Sequence, residues 1–350
     1  MMASSEHPKV AVVILNWNGI EHLKTYLPSV LEHTPSEVAI WVTDNGSTDD
    51  SVEWLTLTHS SAVQVLELGE NFGFAAGYNR ALAQIEAEVY VLLNSDVRIV
   101  QPWIDPTLSA MDAHGWDVAS PLIAQDVNPN QCEHAGAAGG FMDRDGYAFC
   151  AGRMFDVVEP IDDWLARDRE VFWASGACLF IRQSAWEKSG GFDDSLFAHM
   201  EEIDLCWRLK NLGHQIGCAG QVKVLHLGGG TLNTSSPFKT YLNFRNNLIV
   251  LLKNKRGIWP LFMFRRMALD GLAAWRMLFE GQANQFLAVG RAHGAFYLRL
   301  LSTLRKRRIL KRKRIHHANS EVGLWPRSVT WARFGQGIKR VRDLTPPPTR

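Results

Sequence analysis

Four short apolar runs recur through the first hundred residues, at 10–15, 38–43, 63–68 and 89–93, and helix-length segments separate them. A strand covered on both faces reads as a continuous apolar run, not as an alternation. Strands joined through helices cross over right-handedly, which predicts an α/β chain, Rossmann-like, with a mainly parallel sheet flanked by helices. Helices are expected at 21–32, from 50, and at 74–85. In such sheets ligands gather at the carboxyl ends of the strands. The residues that follow each run are therefore the first candidates for chemistry.

The first run ends in Asn16-Trp17 and the second in Asp44. A carboxylate at Asp44 can accept the imide N–H of a pyrimidine base, and the indole of Trp17 offers a flat face for stacking. The third leads into N-F-G-F-A-A-G-Y-N, where Asn71, Gly73 and Gly77 let a ligand approach backbone N–H groups at a helix start. The fourth runs into Asn94-Ser95-Asp96, and a carboxylate there can hold a hard divalent cation that in turn holds a diphosphate. Taken singly, each piece also has a plain structural reading as a turn, a cap or a core aromatic.

Residues 125–168 are rich in Gly, Asp and Asn and read as loops and short strands over the sheet edge. A strand is expected at 171–182, a short helix at 184–190, and a helix within 197–213 closed by Gly213. Glu201 and Glu202 fall at the start of that last helix, where the backbone field favours an ionised carboxylate suited to act as a base. Asp204 and Arg208 can pair at i,i+4. His226 ends the strand expected at 221–226, where a neutral imidazole can ligate a metal beside Asp96.

The five cysteines are scattered with no C-x-x-C pair, which points to reduced thiols and away from a disulfide framework or a zinc site. The net charge of +1 conceals a split. Residues 1–230 hold 13 Lys and Arg against 32 Asp and Glu; residues 231–350 hold 24 against 4. A basic tail on an acidic body suggests an anionic surface as partner. Within it, Ala268, Leu272, Trp275, Leu278 and Phe279 share one helical face, and Arg265, Arg266, Asp270, Arg276 and Glu280 another. That predicts a helix in a membrane interface with its cations toward lipid phosphates; a basic helix packed on the body is the alternative. Nucleic acid is disfavoured, because aromatics do not interleave with the basic run at 304–315. No signal peptide and no uninterrupted transmembrane span is read.

The ordered set V-V-I-L-N-W-N-G, V-T-D-N-G-S-T-D-D-S, N-F-G-F-A-A-G-Y-N, L-L-N-S-D-V, G-G-F-D-D-S-L-F-A-H-M-E-E-I-D-L-C-W-R and V-L-H-L-G-G-G resembles family 2 glycosyltransferases of the GT-A fold, closest to the bacterial rhamnosyltransferase-like branch. The resemblance covers about residues 8–236. It implies a GT-A catalytic domain over 1–232 and a basic amphipathic helical extension over 233–350. It implies an inverting transfer of a sugar from a UDP- or dTDP-linked donor to a glycan or lipid-linked acceptor, at the cytoplasmic inner face of the cell membrane. By the resemblance, Asn16, Trp17, Asp44, Asn71, Gly73, Gly77, Asn94, Ser95 and Asp96 bind the nucleotide sugar. Asp96 and His226 hold Mg²⁺ or Mn²⁺. Glu202 is the base, with Glu201 or Asp204 as alternative or support, and Trp173, Gly176 and Asp193 border the acceptor. Asn94 departs from the family's D-x-D. A sugar nucleotidyltransferase and a catalytically inactive nucleotide-sugar-binding protein are the alternatives.

Overall fold

The structure is a computed structural model that describes residues 9–133, 136–228, 236–315 and 321–345. Its first half alternates as expected: β1 (Val10–Asn16), α1 (Ile20–His33), β2 (Ala39–Asp44), α2 (Ser51–His59), β3 (Gln64–Glu67), α3 (Gly73–Leu82) and β4 (Val89–Asn94). There follow β5 (Val97–Ile99), α4 (Ile104–His114) and β6 (Val118–Gln125). A run of short strands comes next: β7 (Gly140–Asp143), β8 (Ala148–Cys150), β9 (Arg153–Met154), β10 (Val157–Val158) and β11 (Arg169–Glu170). Then come β12 (Cys178–Arg182), α5 (Gln183–Ser189), α6 (Glu201–Asn211) and β13 (Ile216–His226). The tail holds α7 (Pro237–Asn254), α8 (Trp259–Phe279), α9 (Ala283–Leu298), α10 (Leu300–Lys313) and β14 (Leu324–Trp325).

The main sheet runs β11-β13-β6-β12-β4-β1-β2-β3, with β5 on β13. Strands β1 to β4, β6 and β13 point one way, and β5, β11 and β12 are reversed. Along β1, Val10, Val12 and Ile14 face α1 and α4, while Ala11 and Val13 face α3. This period of two divides the core into one apolar cluster on each face. The carboxyl ends of β1, β2 and β4 lie side by side, since Asn16 pairs in register with Asp44 and Leu15 with Asn94.

Three sequence expectations are corrected. Only 178–182 of the strand expected at 171–182 is a strand, because the preceding residues leave the sheet to meet Gly140. The strand expected at 221–226 begins at Ile216, with a bulge between Ala219 and Lys223 interrupting its apolar pattern. The 125–168 region is not mere edge decoration. It builds a second sheet, β10-β9-β8-β7-β14, whose last strand comes from the far end of the chain.

The basic tail folds onto the body. Arg307 donates to the carbonyls of Leu252, Lys255 and Gly257, Arg314 to that of Lys253, and Lys306 pairs with Asp193 at 2.6 Å. On α8 part of the polar stripe faces inward: Arg266 and Asp270 pair at 2.9 Å in the interior, and the half-exposed Arg265 reaches Asp145, while Arg276 and Glu280 stay exposed. Leu272, Trp275 and Phe279 face out. Arg265 and Arg266 thus meet protein instead of the lipid phosphates expected for them, because the turn at 143–147 supplies their carboxylate and carbonyl partners. A chain cut at residue 236 strips α7 from the buried face of α6. It is expected to lose its cooperative melt, read by circular dichroism, whereas a chain ending at 345 should melt like the full-length protein.

Candidate active site

The loop after β2 is held by Asp44. Its Oδ1 accepts from Asn16 Nδ2 at 3.2 Å and its Oδ2 from the N–H groups of Gly46 and Ser47 at 3.1 and 2.9 Å. Both side chains are buried, and Asn16 Oδ1 has no hydrogen-bond partner. Trp17, next in the chain, is half exposed. Two residues that the sequence did not single out tie this corner together. Asp49 accepts from Ile20 N at 3.1 Å and from Ser51 N at 3.2 Å, so one carboxylate serves the first turns of both α1 and α2. Asn45 donates to Asn71 Oδ1 and to Gly73 O, both at 3.1 Å, and joins the second and third strand ends.

In the 71–77 segment, Gly73 has φ of +76°, and an added Cβ would come within 2.6 Å of the Phe197 ring. Gly77 is explained by packing: an added Cβ would come within 3.0 Å of the Leu15 side chain of β1. This glycine is a helix–sheet contact and needs no ligand to account for it.

Asp96 stands past the end of β4, buried. Its Oδ1 lies 3.2 Å from His226 Nε2, and its backbone carbonyl accepts from Leu227 N at 3.1 Å. On the other side of the imidazole, Nδ1 is 3.4 Å from Glu133 Oε2. Burial lowers the His226 pKa, but the Asp96 and Glu133 carboxylates outweigh it and push it up to about 10. Burial likewise raises Asp96, and His226 with His22 of α1 brings it below the usual carboxylate range. The pair fits a divalent cation. Two neighbouring ligands of an octahedral ion stand about 3 Å apart, and a ligating imidazole commonly has a carboxylate at its other nitrogen. Glu133 takes that second place; it sits in a Gly-rich stretch with no motif to mark it. Among the described residues no three His, Cys, Asp or Glu side chains converge on one point, so water or ligand oxygens would complete the shell.

Across the crevice, Asn94 N donates to Ala177 O at 2.9 Å, which brings the start of β12 beside the end of β4. Gly176 precedes that contact, and Glu202 lies against it: a Cβ at Gly176 would sit 3.8 Å from the Glu202 carboxyl carbon. Glu202 Oε2 is shut off from solvent and has no hydrogen-bond partner, and the same holds for Glu201 Oε2. Burial pushes the Glu202 carboxyl up to about 7. Burial and the charge of Glu202 raise Glu201 further. The helix start therefore does not keep these carboxylates at an ordinary acidity, because desolvation exceeds the backbone field.

Three expectations about the site change. Asp204 is fully buried, with Arg208 Nε at 2.8 Å, Lys253 Nζ at 2.8 Å and Asn254 Nδ2 at 2.7 Å, which removes it as a base and leaves it as support. Trp173 is a core residue, its indole N–H donated to Phe141 O at 3.0 Å and its ring flat against Gly140, so it does not border an acceptor. Asp193 is clamped by Lys253 at 2.5 Å and Lys306 at 2.6 Å, which hold its carboxyl well below the usual range. It faces a cleft of about 550 Å³ against α10, away from Glu202. Gly176 alone of the expected acceptor-side residues meets the site.

Residues 11–137 match the family described as Glycosyl transferase family 2. The chain is 27% identical over 271 residues to an N-acetylglucosaminyl-diphospho-decaprenol L-rhamnosyltransferase of Mycobacterium tuberculosis, an alignment covering 71% of this chain and 85% of that protein. Two solved structures share the fold at 14% identity. One is GalNAc-T7 with UDP, GalNAc and Mn²⁺, with a TM-score of 0.56 over 85% of this chain and 58% of that one. The other is the mannosyltransferase PcManGT from Pyrobaculum calidifontis with GDP-Man and Mn²⁺, with a TM-score of 0.52 over 88% and 86%. The sheet, the order of its motifs and these likenesses agree: residues 11–137 match the family 2 glycosyltransferases, the chain has the GT-A fold, and its sequence is similar to the rhamnosyltransferase-like branch.

Proposed function

We propose that the protein is an inverting glycosyltransferase that moves a sugar from a nucleoside-diphosphate donor to a hydroxyl of a glycan or lipid-linked glycan, in the synthesis of a cell-surface polysaccharide. The observation that carries this reading is Glu202: a carboxyl raised by desolvation, with one oxygen shut off from solvent and unpartnered, set against Gly176 where β12 meets the end of β4. Its raised pKa suits it to take a proton from an alcohol near neutral pH. As the acceptor oxygen bonds to the anomeric carbon, the bond from that carbon to the diphosphate breaks and the hydroxyl proton passes to Glu202. One base and one attack invert the sugar, through a transition state of oxocarbenium character.

Asn16, Trp17 and Asp44 hold the base of the donor, with Trp17 stacking and Asp44 keeping the 45–47 loop in place beneath it. Asn71, Gly73, Asn94 and Ser95 line the path of the diphosphate. Asp96 and His226 would hold Mg²⁺ or Mn²⁺, and the ion would neutralise charge on the leaving diphosphate. The Mn²⁺ in the two structural relatives supports that choice of ion.

A second surface supports work at a membrane. Among the described residues no helix is long and apolar enough to cross one. The outward face of α8 nevertheless presents Leu261, Phe264, Leu272, Trp275 and Phe279, with Leu298 and Leu301 from the α9–α10 corner. Arg305, Arg308, Lys311 and Arg312 stand exposed on α10 beside them, the faces of that helix not taken up by Lys306, Arg307 and Arg314. An apolar patch rimmed by cations fits an anionic lipid surface at the inner face of the cell membrane.

Screening UDP- and dTDP-sugars with Mn²⁺ should identify a donor that releases nucleoside diphosphate; release of pyrophosphate would instead mark a nucleotidyltransferase. Glu202→Gln should lower turnover by about a hundredfold or more while donor still binds. Unchanged turnover in that variant rejects Glu202 as the base.

The raised carboxyls also make a statement about stability. Their folded pKa values lie above those of the unfolded chain, about 4.3 for Glu, so stability falls as pH rises between the two. Glu202→Gln is therefore expected to melt higher than the parent at about pH 8, with the gain shrinking as pH falls and vanishing below about pH 4. Equal melting temperatures at both pH values would contradict the assigned burial.

The intact chain should pellet with phosphatidylglycerol vesicles at low salt and be released as salt rises. Replacing Arg305, Arg308, Lys311 and Arg312 by Glu should abolish pelleting. A parent chain that never pellets rules out the lipid surface.

A further inference from the structure

The four residues ahead of α6 have an uncommon backbone. Phe197, His199 and Met200 have φ of 65°, 67° and 75°, a region that residues with a Cβ avoid, and all three lie within four positions of Glu201. The turn is wedged between two parts of the site. The Phe197 ring covers Gly73, and the Phe197 carbonyl accepts from Phe74 N at 3.0 Å and Ala75 N at 3.3 Å, at the first turn of α3. Backbone of this kind persists only where its surroundings over-determine it.

What determines it comes from beyond residue 236. Asn246 of α7, with no exposed surface, aims Nδ2 at three carbonyls of this turn: Leu196 at 2.9 Å, Ala198 at 2.8 Å and His199 at 2.8 Å. Its two amide hydrogens are shared among three acceptors. Its Oδ1 accepts from Arg245 Nε at 2.9 Å, and Arg245 Nη2 donates to Leu196 O at 3.0 Å. A helix packing on α6 for burial alone has no need of an amide here. The amide matches what the turn presents, a cluster of inward carbonyls that no neighbouring strand or helix satisfies.

We propose that Asn246, steadied by Arg245, is a positioning residue for the transfer reaction: it locks the 197–200 turn, and through it the direction of Glu202 and its register with the start of α3. The inference rests on Glu202 being the base. If the carbonyls are released, the three residues relax toward negative φ and the first turn of α6 rotates with them. A displacement of about 1 Å at the base is enough to cost about a hundredfold in rate. The basic extension is then part of the catalytic apparatus and not only a membrane-facing appendage.

The test measures nucleoside diphosphate release from the donor found in the screen, with calorimetric binding of UDP plus Mn²⁺ on the same samples. Asn246→Asp keeps the shape and removes both donors. It is expected to lower kcat by about tenfold or more per folded molecule, to leave UDP–Mn²⁺ affinity within about threefold, and to shift the acidic limb of the pH profile. Asn247→Ala is the comparison. It deletes a neighbouring buried bond, to Gly146 O at 2.9 Å, and should lower the melting temperature with kcat within about twofold of the parent. Should Asn246→Asp not fold, Arg245→Lys carries the test with the same pattern at smaller size. Folded variants with parental kcat overturn the proposal, as does a loss of kcat that only follows melting temperature across all variants. If Glu202→Gln keeps turnover while Asn246→Asp loses it, the turn matters and the base is misassigned, so the two failures stay distinct.

Discussion

The Asp204 carboxylate, sealed from solvent, is the constraint on which the arrangement of this molecule depends. It receives Arg208 from its own helix and Lys253 and Asn254 from α7. Arg208 goes on to the carbonyls of Ser189 and Gly191, and Lys253 to Asp193, which in turn holds Lys306 of α10. One ionised oxygen pair thereby sets α5, α6, α7 and α10 relative to one another. Removing a single partner from such a network leaves a buried charge uncompensated, typically at a cost of about 3–5 kcal/mol. The helix it anchors is the one that begins with Glu201 and Glu202.

The neighbouring carboxyls are treated in the opposite way. Asp204 has cations and an amide and keeps its charge readily. Glu201 and Glu202, three and two residues earlier, are desolvated with one unpartnered oxygen each and resist ionisation. Groups of one chemical type pushed in opposite directions within one helical turn are a mark of a functional site, because a purely structural helix gains nothing from a desolvated, unpaired acid. Positive φ at three of the four residues 197–200, none of them glycine, adds to the local cost. Stability here is lowered where chemistry is proposed and recovered in the ion network beside it.

How much of this was legible in the residues follows from what each signal depends on. The parallel β1–β4 core was readable because continuous apolar runs and helix-length spacers are local patterns. The strand-end residues Asn16, Asp44 and Asp96 were readable because topology places strand ends together. The reversed strand β12 was placed only in part, since its upstream residues are as apolar as a strand but turn away to the second sheet. The roles of Trp173 and Asp193 were misread because each depends on partners far along the chain: Phe141 O for the indole, and Lys253 and Lys306 for the carboxylate. Glu133 and Asn246 carried no signal at all, as a lone Glu and a lone Asn acquire meaning only from what lies opposite. The protein partners of Arg265 and Arg266 on α8 were hidden for a related reason. Amphipathicity defines two faces but does not say which one meets protein when the body offers a carboxylate-lined turn.

The second sheet has a bearing on how the chain comes to be folded during synthesis. Its edge strand β14 pairs in parallel with β7 through Leu324–Met142 and Trp325–Asp143, so that layer cannot close until nearly the whole polypeptide has emerged. The half built from β1 to β4 is paired within the first 94 residues, apart from the later contact of β4 with β12, and can consolidate earlier. Long-range pairings of that kind are slow to form, and the surfaces awaiting them stay exposed meanwhile. The order of emergence thus gives strands β1 to β4 most of their partners well before the second sheet can have its last strand.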